Sequence, residues 1–236
     1  MPKVFIIGGG GHARVIASLL DATPEFLTTT PTTEDERLAA AVADHPGAEF
    51  YLGLGTNRDR ARVANKLRAL GARLPACVAP NVFVARDAQL GAGAVICPGA
   101  QIGSRAQIGF ACIVNTLSSV DHDCVLGDYT QVTAGVTLGG TVKVGKNGFF
   151  GIKSGVIPNL TIGDDVVVMA GSLVTRNVPE RVMMGGNPAR LLRRLPSSAL
   201  LWSPAPAVEP AVAFVDQDLG RYTRVGAGKP QDVPAI

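Results

Sequence analysis

A chain of 236 residues, 47% of them hydrophobic, can bury one large core or two modest ones. Its net charge of +3 and charged fraction of 17% argue against a nucleic-acid partner, which asks for a clustered basic face. There is no run of 18 apolar residues, and the opening MPKVFIIGGGG is too short and Gly-rich for a signal peptide. The expectation is a cytoplasmic protein without membrane insertion.

Residues 3–7, KVFII, predict a short buried strand. GGGGH follows, then an amphipathic stretch from Ala13 to Leu20. Strand, Gly-rich turn and helix open a Rossmann-like unit. Phe26 to Thr29 predicts a second strand. Thr33 and Glu36 fit a capping box that starts a helix through about Val42. Phe50 to Gly55 predicts a third strand and Asn57 to Leu70 a charged-faced helix. Residues 1–75 therefore read as a small α/β, Rossmann-like domain. Gly8, Gly10 and Ala13 satisfy G-x-G-x-x-[GA], yet a nicotinamide site also wants an acidic residue after the second strand. Thr28, Thr29 and Thr30 stand there, which counts against NAD. The turn's N–H groups can hold a phosphate, or the glycines serve only close strand–helix packing. His12 contacts a ligand in that crevice or caps the turn.

From Val84 to Val174 every sixth residue is apolar, sixteen times without a slip. A fixed period of six marks a parallel β-helix of hexapeptide repeats and does not fit the 3.6 of an amphipathic helix. Each hexad is a short strand plus a tight turn. Three hexads close a triangular coil of 18 residues, so sixteen make a little over five coils. Four positions after each apolar residue a small residue or Val stands in fifteen hexads; Leu160 is the exception. The residue just after the apolar one is Gly, Asn or Asp in ten hexads, which predicts positive φ at that place. Cys112 and Cys124 occupy small inward positions and, with Cys77 and Cys97, read as core filler. No C-x-x-C spacing supports a zinc or redox site.

The segment 179–195, with GGNPARLLRR, predicts a turn and a short helix, and Arg190, Arg193 and Arg194 read as its solvated face. From 196 the chain is Pro-rich, with a possible hairpin around Asp216 to Gly220. The predicted division is 1–75, 76–195 and 196–236, the last of unknown role.

His122 is the only histidine in the repeats. It follows the inward Val120 by two positions, so its side chain points out near a corner, between Asp121 and Asp123. A histidine beside a carboxylate on a rigid surface is an oriented general base, or an ordinary solvated residue between two turn aspartates. With three histidines in the chain and one in the repeats, a three-histidine metal site on the repeats is not available.

Taken together, GGGGH, the third strand with Gly55, Thr56 and Asn57, IVNTLSSVDHDCVLGDYTQV at 113–132, VKVGKNGFFGIKSGVIPNLTIGDD at 142–165 and GGNPARLL resemble the NeuD/PglD-like sugar O- and N-acetyltransferases over residues 3–194. The resemblance implies a left-handed β-helix, assembly as a homotrimer, and acetyl-CoA as co-substrate without a metal. It implies His122 as the general base with Asp123 as its partner. It places Gln131, Gly140, Ile152, Ala170 and Gly171 on the acetyl-CoA, and Gly10, Gly11, His12 and Gly55 on a sugar or nucleotide-sugar acceptor. Gln131 stands where the family commonly has a second histidine. A non-catalytic ligand-binding or scaffold trimer of the same fold is the alternative.

Overall fold

The computed structural model describes residues 2–28 and 33–196. Thr29, Thr30 and the tail from 197, with its expected hairpin, lie outside the described residues.

Strands β1 (Val4–Ile7), β2 (Glu25–Leu27) and β3 (Glu49–Leu52) form a parallel sheet in the order β2-β1-β3. All four β1 residues are buried, as a central parallel strand requires. Helices α1 (Gly11–Ala17), α2 (Glu34–Asp44) and α3 (Asn57–Ala69) alternate with the strands. Helix α1 starts inside the glycine run and stops before the expected Leu20. At its end the Ser18 hydroxyl donates to Val15 O at 2.7 Å, a local bond that competes with the helix ladder. Helix α2 begins at Glu34. Three carboxylates in its first turn suit the helix dipole, and Thr33 makes no side-chain cap. The buried Glu34 carboxylate pairs with Arg62 and Lys66 of α3, tying the two helices together. Thr56 caps α3, accepting from Asp59 N at 3.2 Å. A Cβ on Gly53 would lie 2.6 Å from Ala13 Cβ, so glycine there lets α1 close onto β3.

From Cys77 the chain makes two-residue strands that pair in parallel, 18 residues apart, as in Ile113↔Gln131↔Phe149↔Val167. With two longer strands that close one end of the largest face, they stack into faces of eight, six and five strands. From Ile96 to Val174 each apolar hexad residue is at most 4% exposed, so the interior is one continuous column.

The corners correct the expectation about glycine. Positive φ, between 53° and 71°, falls three residues after each apolar residue, at every sixth position from Gly93 to Gly171. Only four of those fourteen positions are glycine; Arg105, Leu117, Asp123 and Tyr129 are among the others. The glycines just after the apolar residue answer a different need. At Gly91, Gly103, Gly109, Gly127, Gly139, Gly145, Gly151 and Gly163 a Cβ would sit 2.1–2.8 Å from an atom of the next coil. They permit coil-on-coil approach.

The expected helix in 179–195 is instead a β-hairpin, Val182–Gly186 and Ala189–Arg194. Met183 and Met184 continue the parallel ladder from Val167 and Val168, and the turn at Asn187 and Pro188 folds the chain back. Ladder bonding and burial of Val182, Met183 and Met184 override the helical pattern. Arg190, Arg193 and Arg194 therefore lie on an exposed edge strand, where charge discourages further pairing.

The N-terminal sheet and α1 pack on the eight-stranded face through Val4, Ile6 and Tyr51 of the sheet and Ala13 and Ile16 of the helix, against Cys77, Val95, Cys97 and Ile113. Arg60 of α3, 0% exposed, locks the junction. It donates to Ala111 O, Tyr129 O and Asn57 Oδ1, each at 2.8 Å, and more weakly to Leu54 O and Gly55 O at 3.3 and 3.5 Å. None of these acceptors is a carboxylate. Asn57 Nδ2 donates to Asn147 O and Gly148 O at 3.1 and 3.2 Å. The start of α3 thus grips three stacked corners, at 111, 129 and 147.

Candidate active site

His122 stands on the corner between the six- and five-stranded faces, just past the strand Ser119–Val120. Its backbone N–H donates to Asp121 Oδ1 at 2.7 Å, which pins the turn. Its Nδ1 lies 2.8 Å from Asp123 Oδ2. Asp123 adopts φ 59°, which turns its carboxylate back toward the ring. Arg105, one coil earlier, grips that carboxylate through Nε at 2.6 Å and Nη2 at 2.9 Å. The Arg105 guanidinium first, and His122 second, hold the Asp123 carboxyl down at about 2. An ionised Asp123 accepts from Nδ1–H, which in a neutral imidazole leaves the lone pair on Nε2. Nε2 lies over Gly140, where a Cβ would be 2.6 Å from it. Thr141 N donates to His122 O at 2.8 Å, coupling the two coils. The arrangement offers an exposed, oriented imidazole able to take a proton at Nε2.

Of the other expected donor-side residues, Gly140 alone lies beside His122. Ile152, Ala170 and Gly171 line a different corner, between the eight- and six-stranded faces, where Gly171 N donates to Ile152 O at 2.8 Å. All three are exposed. Gln131 is on the eight-stranded face between Ile113 and Phe149, 8% exposed, with Oε1 buried and without a hydrogen-bond partner. Within one chain Gln131 therefore does not share a corner with His122. Nine residues are half of an 18-residue coil, which carries the chain around to another side.

Gly10, Gly11, His12 and Gly55 gather past the C-terminal ends of β1 and β3. A Cβ on Gly10 or Gly11 meets nothing within 4 Å, and one on Gly55 would be 3.9 Å from His12 Cβ. Burial, and then the charge of Arg60, lower the His12 imidazole to about 4, so it is neutral near pH 7. Its Nε2 is buried without a partner.

All four cysteines are free and buried. Burial pushes the thiols of Cys77, Cys97 and Cys124 up to about 11 and that of Cys112 to about 12, which leaves no thiolate for covalent catalysis. Among the described residues no group of three or more His, Cys, Asp or Glu side chains can hold a metal ion. No helix among them is long and apolar enough to cross a membrane.

Sequence reasoning missed Arg105 and Arg60. The first was within reach of the period, because 105 and 123 differ by one coil. The second carried no signal, since a charged helix face conceals which arginine turns inward.

Residues 141–176 match the family model described as hexapeptide repeat of succinyl-transferase. The chain is 34% identical over 155 residues to the GDP-perosamine N-acetyltransferase of Escherichia coli O157:H7, covering 63% of this chain and 70% of that one. The acetyltransferase domain of PglB from Neisseria gonorrhoeae FA1090, solved with acetyl coenzyme A, superposes with a TM-score of 0.74 at 27% identity, over 80% of this chain and 98% of that one. PerB from Caulobacter crescentus, solved with CoA and GDP-perosamine, also gives 0.74, at 30% identity over 81% and 97%. The stacked parallel strands are those of a left-handed β-helix.

Proposed function

The chain belongs to the NeuD/PglD-like sugar acetyltransferases of the hexapeptide-repeat acyltransferase family, and from this we propose that it transfers the acetyl group of acetyl-CoA to an amine of a nucleotide sugar, with His122 as general base. The observation that carries the reading is an exposed imidazole fixed by an ionised carboxylate, its Nε2 open above Gly140. An amine is preferred to a hydroxyl because the relative from E. coli is named an N-acetyltransferase and PerB was solved with an amino-sugar nucleotide.

In this mechanism the acceptor amine attacks the thioester carbonyl while Nε2 takes its proton. Asp123 holds the ring in the productive tautomer and stabilises the imidazolium. The tetrahedral oxyanion is met by a main-chain N–H near Gly140. Collapse expels the CoA thiolate, which receives the proton from His122. No acyl-enzyme is involved.

We read residues 1–75 as a Rossmann-like acceptor domain with Gly10, Gly11, His12 and Gly55 in its crevice, and 76–195 as the acyltransferase domain. The donor would run along the corner of Ile152, Ala170 and Gly171. Because that corner, Gln131 and His122 lie on different sides of one prism, the reading calls for a homotrimer in which neighbouring copies complete each site. Four unpaired thiols fit a reducing, cytoplasmic setting.

The test is thiol release from acetyl-CoA with a panel of nucleotide-linked amino sugars, GDP-perosamine among them. His122→Ala should lower turnover by about 10²–10⁴. Full activity in that variant would reject the assigned base. CoA binding without turnover of any acceptor would favour the non-catalytic trimer that Gln131, in place of the family's histidine, suggests.

A further inference from the structure

We propose that Arg105 is a positioning residue of the acyl-transfer site, acting on His122 through Asp123. The proposal rests on the reading of His122 as the base. Its ground is the stacking of corners. Residues 87, 105 and 123 are each one coil apart and stand on the same edge of the prism. Both Arg105 and Asp123 take positive φ, 56° and 59°. The Arg105 fork closes on both Asp123 oxygens at 2.6 and 2.9 Å, and one of those oxygens also meets His122 Nδ1 at 2.8 Å. A planar bidentate grip fixes the plane of the carboxylate, and the carboxylate fixes the ring. Arg105 is itself seated from behind: its backbone N–H donates to Asp87 Oδ1 at 3.2 Å, and Ser104 Oγ to Asp87 Oδ2 at 2.8 Å.

The consequence for the base is geometric. The charged groups facing the imidazole are Asp121 and Asp123 on its own turn, and Arg105 with Asp87 behind it on the preceding coils. The following two coils bring Thr141 and Asn159, which carry no charge. Arg105 balances one of the two carboxylates beside the ring. Its removal frees the Asp123 carboxylate to rotate, and the ring that the carboxylate holds loses its fixed aim.

The measurement is steady-state kinetics of the full chain, with Arg105→Lys, which keeps the charge and loses the fork, expected between Arg105→Gln and the unchanged protein. With acetyl-CoA and the best acceptor of the panel, Arg105→Gln should reduce kcat about tenfold, with KM for acetyl-CoA nearly unchanged. On an Asp123→Asn background the same change should cost almost nothing further. Losses that simply add would show that Arg105 does not work through Asp123. Normal Arg105→Gln turnover with an inactive His122→Ala refutes this inference alone, whereas an active His122→Ala refutes the reading beneath it.

Discussion

Replacing Arg60 by Met should detach the N-terminal unit from the prism before anything else gives way. Three short bonds leave the buried guanidinium, to Ala111 O, Tyr129 O and Asn57 Oδ1. Hydrogen bonds from a charged donor contribute about 1.5–3 kcal/mol each, so the gross loss is about 5–9 kcal/mol. Against this stands the relief of burying a cation with no counter-ion, worth several kcal/mol, with burial already lowering the guanidinium to about 10. The net cost is about 3 kcal/mol, and the orphaned carbonyls lie on the corners that α3 grips. Hydrogen exchange of the intact chain reads this locally. Peptides covering β3 and α3 should exchange about 100-fold faster in the variant, while peptides within 113–174 keep their protection. A change of less than about threefold in α3 would mean that Arg60 adds nothing to docking and that this accounting is wrong.

The hole beneath the His122 ring makes a sharper test of geometry. Gly140→Ala places a methyl 2.6 Å from His122 Nε2, and the ring, being the free end of a side chain, swings aside. Thermal stability should shift by under about 1 kcal/mol while kcat falls about 100-fold; a fully active variant would place the reaction elsewhere. Acid sensitivity should trace in part to His12. Its ordinary value is 6.5 and its folded value about 4, so only the unfolded chain takes a proton between the two. Folding stability should therefore be complete above about pH 6.5 and decline as the pH falls toward 4, by at most about 3 kcal/mol. Urea midpoints at pH 7.5 and 4.5 should show a smaller drop for His12→Gln than for the unchanged protein; equal drops would remove His12 from the account.

The prism was open to reading because its constraint is one-dimensional. A residue that fills the column recurs every six positions, and nothing distant in sequence can alter that count. For the same reason the outward corner position of His122 followed from its offset to Val120. What the period could not say was which backbone angle each slot takes. Glycine is needed both where φ is positive and where two main chains nearly touch, and composition alone does not separate the two uses. The hairpin after Val182 was hidden because ARLLRR is a good helix sequence, and only a waiting ladder edge makes it a strand. Arg105 has no distinguishing neighbour along the chain; its partner is Asp123, one coil above. The separation of Gln131 from His122 is likewise a matter of which side of a triangle nine residues reach.

Because most corner slots hold left-handed backbone without glycine, each corner is a rail of side chains whose spacing the core already guarantees. A residue's number modulo eighteen is its address on such a rail. A new charge, ring or amide can be written at one address and meet known neighbours above and below, with no change inside the column. A scaffold of this kind can acquire new acceptors or donors by small surface edits, and the row through 87, 105 and 123 illustrates how a working group is assembled from single letters placed one lap apart.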